Sequence, residues 1–125
     1  MNPASPNLST LERFLKLTTT REQAIASNMA NVDTPGYRTR DVNFQAEMRK
    51  ATENNSPMLL NASFAPGQDA ATTEVRGLME RPDGNNVNLD REGLLLSEAQ
   101  LQYQLGIQLV KHQFHSLLSA INGGN

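Results

Sequence analysis

One short stretch of this chain fixes where a helix must stop. In Ala26-Ser27-Asn28-Met29-Ala30-Asn31-Val32-Asp33-Thr34-Pro35-Gly36-Tyr37 the proline ring excludes helical geometry at Thr34, so a helix arriving from the N-terminal side ends by about Asp33. Pro35 and Gly36 suit the two centre positions of a type II turn. Proline presets the first dihedral angle there, and glycine accepts the positive φ of the second. Tyr37 leaves the turn where its ring can fold back on the helix end. Asn28 and Asn31, one turn apart, can bond the exposed carbonyls and the turn backbone.

The pattern before the stop is helical. Ser9-Thr10-Leu11-Glu12 fits a capping box, with Ser9 as cap and Glu12 reaching back. An apolar stripe then runs through Leu8, Leu11, Leu15, Thr18, Glu22, Ile25, Met29 and Val32, spaced by three and four and broken at its centre by Thr18 and Glu22. A helix over residues 8–33 would be on the order of 35 Å long. An imperfect seam leaves it dependent on packing for its stability. Residues 34–42 form the turn and an extended segment. A short helix is expected over 43–52, with Asn43 as cap and Phe44, Met48 and Ala51 on one face. Residues 53–87 hold three turn clusters and only short apolar runs, which describes an irregular loop with room for one small hairpin over 74–81.

A second long helix is expected over 88–121. Asn88 or Asn86 is its cap, Asp90 and Glu92 suit the helix dipole in its first turn, and Asn122-Gly123-Gly124 ends it. Its main stripe is Leu96, Ala99, Tyr103, Ile107, Val110, Phe114, Leu117 and Ile121, and further leucines add a second apolar side. The rest of the helix is nearly uncharged: from Gly93 onward only Glu98 and Lys111 carry formal charge, and glutamines recur instead. A water-facing helix carries Lys and Glu there, so this composition suits one surrounded by protein. Gly106 costs about 1 kcal/mol in helix propensity, which points to close approach of a neighbouring backbone. Two helices in a chain of 125 residues cannot enclose this much apolar surface, so other subunits must bury the remainder.

The sequence excludes several functions. Net charge is −2 with no Lys/Arg cluster, which gives no field for nucleic acid. Cysteine is absent, so neither a disulfide framework nor a thiolate metal site is available. His112 and His115 stand three apart, but no carboxylate on their face completes a ligand set, and they read as a polar flank. No phosphate loop follows a strand, and Ser27, Ser97 and Ser116 have no supporting histidine–acid pattern. No catalytic, cofactor or metal site is expected. The first seven residues lack a basic and then apolar secretory pattern, and no run approaches the roughly 18 apolar residues of a membrane span. Export would need a route that reads an uncleaved N-terminus, and direct membrane insertion is not expected.

The string from Ala26 to Arg38 resembles the N-terminal signature of bacterial flagellar basal-body rod proteins, a family shared with hook proteins. That signature joins alanine–asparagine repeats to Thr-Pro-Gly-Tyr and a basic residue. Ser27 and Met29 are mild departures, where asparagine and isoleucine are usual. Arg40-Asp41-Val42-Asn43-Phe44 and Asp83-Gly84-Asn85-Asn86-Val87 narrow the likeness to proximal rod subunits.

The resemblance implies a mainly α fold, with long N- and C-terminal helices packed as a coiled-coil-like pair around a short irregular middle. It implies a structural subunit that stacks helically into the hollow, torque-transmitting proximal rod of the periplasm. Its partners would be copies of itself, other proximal rod subunits, the rod–membrane-ring junction protein and the flagellar type III export apparatus. The turn motif would be Asn28, Asn31, Thr34, Pro35, Gly36 and Tyr37. The assembly interface is expected at Leu11, Leu15, Ile25, Met29, Tyr103, Gly106, Ile107, Val110, Phe114, Leu117 and Ile121. A small helical adaptor or export chaperone, binding a partner helix through its apolar stripe, is the alternative.

Overall fold

A computed structural model describes residues 8–54 and 72–123. The elements in chain order are helix α1 (Leu8–Ala30), strand β1 (Arg40–Val42), helix α2 (Phe44–Asn54), strand β2 (Thr72–Glu74) and helix α3 (Leu89–Asn122). The fold is mainly helical. The two long helices pack together around a short middle that holds a small antiparallel strand pair. At 1.5 Å per residue, the 23 residues of α1 span about 35 Å and the 34 of α3 about 51 Å. They run antiparallel, since Asn28 near the end of α1 bonds Glu92 near the start of α3, while Leu15 and Phe14 press on Gly106.

Helix α1 ends at Ala30, three residues short of Asp33. Residues 31–34 instead close tighter turns, with Val32 N–H donating to Met29 O (3.4 Å) and Thr34 N–H to Asn31 O (3.0 Å). At its other end the helix already includes Leu8, so Ser9 lies inside the first turn rather than capping it. The buried line of α1 is also not quite the expected one. Leu11, Thr18 and Ile25 are buried as expected, but the flanking positions are Arg13, Leu17, Ala24 and Asn28, rather than Leu15, Glu22 and Met29. The cause is that α1 is covered on two sides, by α3 and by β1 with α2. Thr18 tolerates full burial because its hydroxyl donates back to Phe14 O at 2.8 Å. Thr19 and Thr20 repeat the same bond to Leu15 O and Lys16 O.

Helix α2 is capped by Asn43, whose side-chain oxygen accepts from Ala46 N–H, and it docks on α1 edge-to-face through Phe44 and Phe14, ring centres 5.2 Å apart. Strand β2 pairs with β1 in the register Arg40↔Glu74, Asp41↔Thr73, Val42↔Thr72. The strand pair therefore joins residue 74 to residue 40 rather than folding back within 74–81. Of the expected loop over 53–87, residues 55–71 lie outside the described residues. Asn88 is the cap of α3, with Arg91 N–H donating to its side chain, and Asn86 does another job. Among the described residues the buried apolar core is Leu11, Leu17, Ala24, Ile25, Val42, Val87 and Ala99. No helix among them is long and apolar enough to cross a membrane.

Candidate functional site

The turn string and the segment before α3 form one interlocked corner, held mainly by side-chain amides. Thr34–Tyr37 is a type II turn: Tyr37 N–H donates to Thr34 O (3.2 Å) and Gly36 has φ +76°. The glycine's own N–H donates to Asp83 O at 2.9 Å. Gly84, with φ +87°, packs against it so closely that a Cβ there would lie 3.4 Å from Gly36 Cα. Two glycines thus let two turns touch backbone to backbone.

Asn28 is the hub. It is 1% exposed, and all four hydrogen-bonding positions of its amide are filled. Its Oδ1 accepts from Arg40 N–H and from the Tyr37 hydroxyl, both at 3.1 Å. Its Nδ2 donates to Arg40 O (2.7 Å) and to Glu92 Oε2 (3.1 Å). The Tyr37 ring folds back on the helix end, and its oxygen also lies 3.2 Å from Ser27 Oγ. Asn31 acts more locally, donating to Ser27 O and accepting from the Thr34 hydroxyl.

The other half of the corner comes from Asn85 and Asn86, which in the sequence mark a turn entering a helix and, at Asn86, an alternative cap. Asn85, fully buried, donates from Nδ2 to Asn31 O and Thr34 O, both at 2.9 Å, and so terminates α1 from outside. Its Oδ1 accepts from Val87 N–H. Asn86 accepts from Thr39 N–H at 2.7 Å, and the Thr39 hydroxyl donates to Asn86 O. Two adjacent asparagines after a glycine turn were the available signal.

Charges surround this amide core. Arg21, from α1, donates to both oxygens of Asp41 on β1 (3.2 and 3.4 Å) and lies 3.9 Å from Glu98 on α3. Arg38 bonds Glu74, Glu80 and Gly84 O. The Glu74 hydrogen bond and then that of Glu80 raise its pKa above the ordinary value. Asp83 is held below the usual carboxylate value, chiefly because Asn85 N–H donates to it. Arg81 reaches across to Val32 O.

The expected assembly residues differ in exposure. Leu11, Ile25 and Gly106 are buried within the chain, so they serve the internal seam rather than a neighbour. Leu15, Met29, Ile107 and Val110 are half-buried. Tyr103 lines an open groove with Leu15, Thr19 and Gln23. Phe114, Leu117 and Ile121 are 56%, 50% and 65% exposed. Gly106 is explained by side chains, not by a neighbouring backbone: a Cβ there would lie 2.6 Å from Leu15 Cδ2 and 3.1 Å from the Phe14 ring.

Geometry accounts for the exposed group. Helix α3 turns its smallest line towards α1, with Glu92, Ala99 and Gly106 buried at every seventh position. Leu15 faces Gly106, so Leu8, seven residues back, comes opposite Gln113, seven residues on. Beyond that point α3 continues to Asn122 with no described element opposite. Leu117 lies about five full turns from Ala99 and so shares its azimuth. The apolar end of α3 thus prolongs the face that α1 covers. A second exposed set, Leu94, Leu101 and Leu105, lies on the far side of the helix.

No family model matches the chain. Whole-length relatives are found among curated proteins. The chain is 32% identical over 126 residues to the flagellar basal body rod protein FlgB of Salmonella typhimurium, covering 91% of each. It is 31% identical to the Escherichia coli protein of the same name, again covering 91% of each. To that of Cereibacter sphaeroides it is 36% identical over 115 residues, 87% of this chain and 88% of the relative.

Proposed function

The chain belongs to the FlgB family of flagellar basal body rod proteins and is a structural subunit of that rod; from this premise we propose that the exposed end of α3 is the surface through which it assembles. One observation carries the reading. Leu117 continues the line of Ala99 and Gly106, with Ile121 and Phe114 beside it, yet the described part of the helix that covers that line ends opposite Gln113. A neighbouring subunit completes the seam, and Val110, Ile107 and Tyr103 extend the contact inward. The corner keeps the two helices in one fixed relation, so that every subunit offers the same end.

On this reading the subunit works in the proximal part of the rod, in the periplasm. It contacts its own copies, other rod subunits and the protein that joins the rod to the membrane ring. Its place is in a hollow shaft that transmits torque. It reaches that place through the flagellar export apparatus, and it carries out no catalytic step. The adaptor or chaperone alternative is not favoured.

The test is the triple substitution Phe114→Ser, Leu117→Ser, Ile121→Ser. These side chains are exposed in the single chain, so each change should alter its stability by no more than about 0.5 kcal/mol. Motility should be lost when the variant replaces the parent in a bacterium that depends on it. A folded variant that supports normal swimming would remove the end of α3 from the assembly surface.

A further inference from the structure

We propose that the buried Asn28–Glu92 pair sets the register of α1 against α3, and so keeps the apolar end of α3 uncovered; the second part rests on the assembly reading above. Glu92 is fully buried. Its Oε2 accepts from Asn28 Nδ2 at 3.1 Å, and its Oε1 from Arg91 at 3.0 Å. Asn28 is itself tied through Arg40 and Tyr37 to β1 and the corner. The pair therefore joins α1, α3 and the corner at one point.

A lock matters because heptad spacing by itself does not choose a register, and Gly106 is the one small position that favours the observed one. On α3 the face towards α1 repeats at seven residues through Glu92, Ala99 and Gly106, and on α1 the buried line Leu11, Thr18, Ile25 repeats at the same interval. Helices that share a repeat can slide by one heptad and still meet like with like. A slide of about 10 Å towards the end of α3 would carry Leu15 from Gly106 to Gln113 and Leu8 from Gln113 to Ala120. Helix α1 would then lie over Phe114 and Leu117. Burial of apolar surface favours this second arrangement, which would hide the end that a neighbour needs.

The slide is opposed by the close fit of Leu15 and Phe14 on Gly106, by the bonds between residues 31–39 and 83–86, and within the helix seam by the Asn28–Glu92 pair. In the slid pair Asn28 would stand opposite Ala99, and the Glu92 carboxylate would lose its amide donor. The four bonds of Asn28 would be lost together. A single buried polar contact that fixes helix register is a known use of such groups, bought at some cost in stability. Glu92 is thus more than a favourable charge in the first turn of α3. It is the position that tells α1 where to stop.

The chain contains no cysteine, so engineered pairs can report the register of the isolated protein under oxidation. Leu15→Cys with Gly106→Cys reads the observed register, and Leu15→Cys with Gln113→Cys reads the slid one. In the parent background only the first pair should close. In a Glu92→Leu background the second should rise by about tenfold in yield. Glu92→Gln, which keeps an oxygen towards Asn28, should match the parent. The proposal is overturned if Glu92→Leu still closes only the first pair. It is equally overturned if Glu92→Leu loses its helical circular dichroism, because an available second register would keep the helices paired. This readout is independent of assembly. A register that shifts in Glu92→Leu together with a motile end variant would keep the lock and discard its purpose, whereas a register that stays fixed in Glu92→Leu together with a non-motile end variant would do the reverse.

Discussion

Asn28 occupies a position where the backbone has run out of partners of its own. The helix behind it is ending, the strand ahead has a bare edge, and the facing helix presents a carboxylate. The one amide of Asn28 answers the last two. That short polar residues would close the end of α1 follows from the need to satisfy its last carbonyls, and Asn31 does that locally. Apart from Tyr37, the partners of Asn28 lie 12 and 64 residues away, beyond the reach of any local rule. Glu92 is the clearest case. Local reasoning puts a first-turn carboxylate in water beside the helix dipole, and only tertiary packing decides that it is buried.

Gly106 is the reverse case. Its closeness to something was legible from a glycine inside a strong helix pattern, but the identity of the neighbour was not. Gly106→Ala should be nearly neutral, because helix propensity gains about 1 kcal/mol while the free end of Leu15 swings aside. Gly106→Leu has no such escape and should cost about 1–3 kcal/mol in urea denaturation. Adding Leu15→Ala should recover part of that loss. An unchanged midpoint for Gly106→Leu would mean that the seam is looser than the 2.6 Å approach implies.

At the level of elements, periodicity placed both long helices to within a few residues. It did less well on orientation. The three–four spacing in α1 supports two adjacent stripes, and which one is buried depends on β1 and α2 closing over its second side. In α3 the bulky stripe read as the seam is largely exposed at its far end, while the line against α1 is small and polar. The β1–β2 pairing was out of reach for another reason: its partners lie more than thirty residues apart and each strand has only three residues. The unequal helix lengths have a measurable consequence. In the dilute monomer, amides of residues 92–106 should exchange with deuterium at least about a hundredfold more slowly than those of 114–122. Uniform protection along α3 would mean that something covers its end before assembly.

For the whole molecule, the small core is the governing fact. Among the described residues only seven apolar side chains are buried, and two of them are alanine. A domain of this size is stable by about 5–15 kcal/mol. Ile25→Ala should cost about 2–4 kcal/mol, a large share of that margin, and should appear as a lowered urea midpoint. Leu101→Ala, on the exposed far side, should stay within about 0.5 kcal/mol. Equal effects would place the true core elsewhere. So thin an interior makes the amide corner a principal support of the single chain and leaves much apolar surface for contacts between chains.

A structural subunit of a larger assembly must also avoid associating in the wrong way, and the amide at position 28 bears on this. It meets Arg40 as a neighbouring strand would, giving to its carbonyl and taking from its N–H. Two residues on, Val42 N–H is taken by Asp41 Oδ1 at 2.7 Å. The outer edge of β1 therefore has these backbone groups already occupied, which closes it to a strand from another molecule. Edge-to-edge fibres, the usual hazard of a bare strand edge, are blocked at this edge by two side chains.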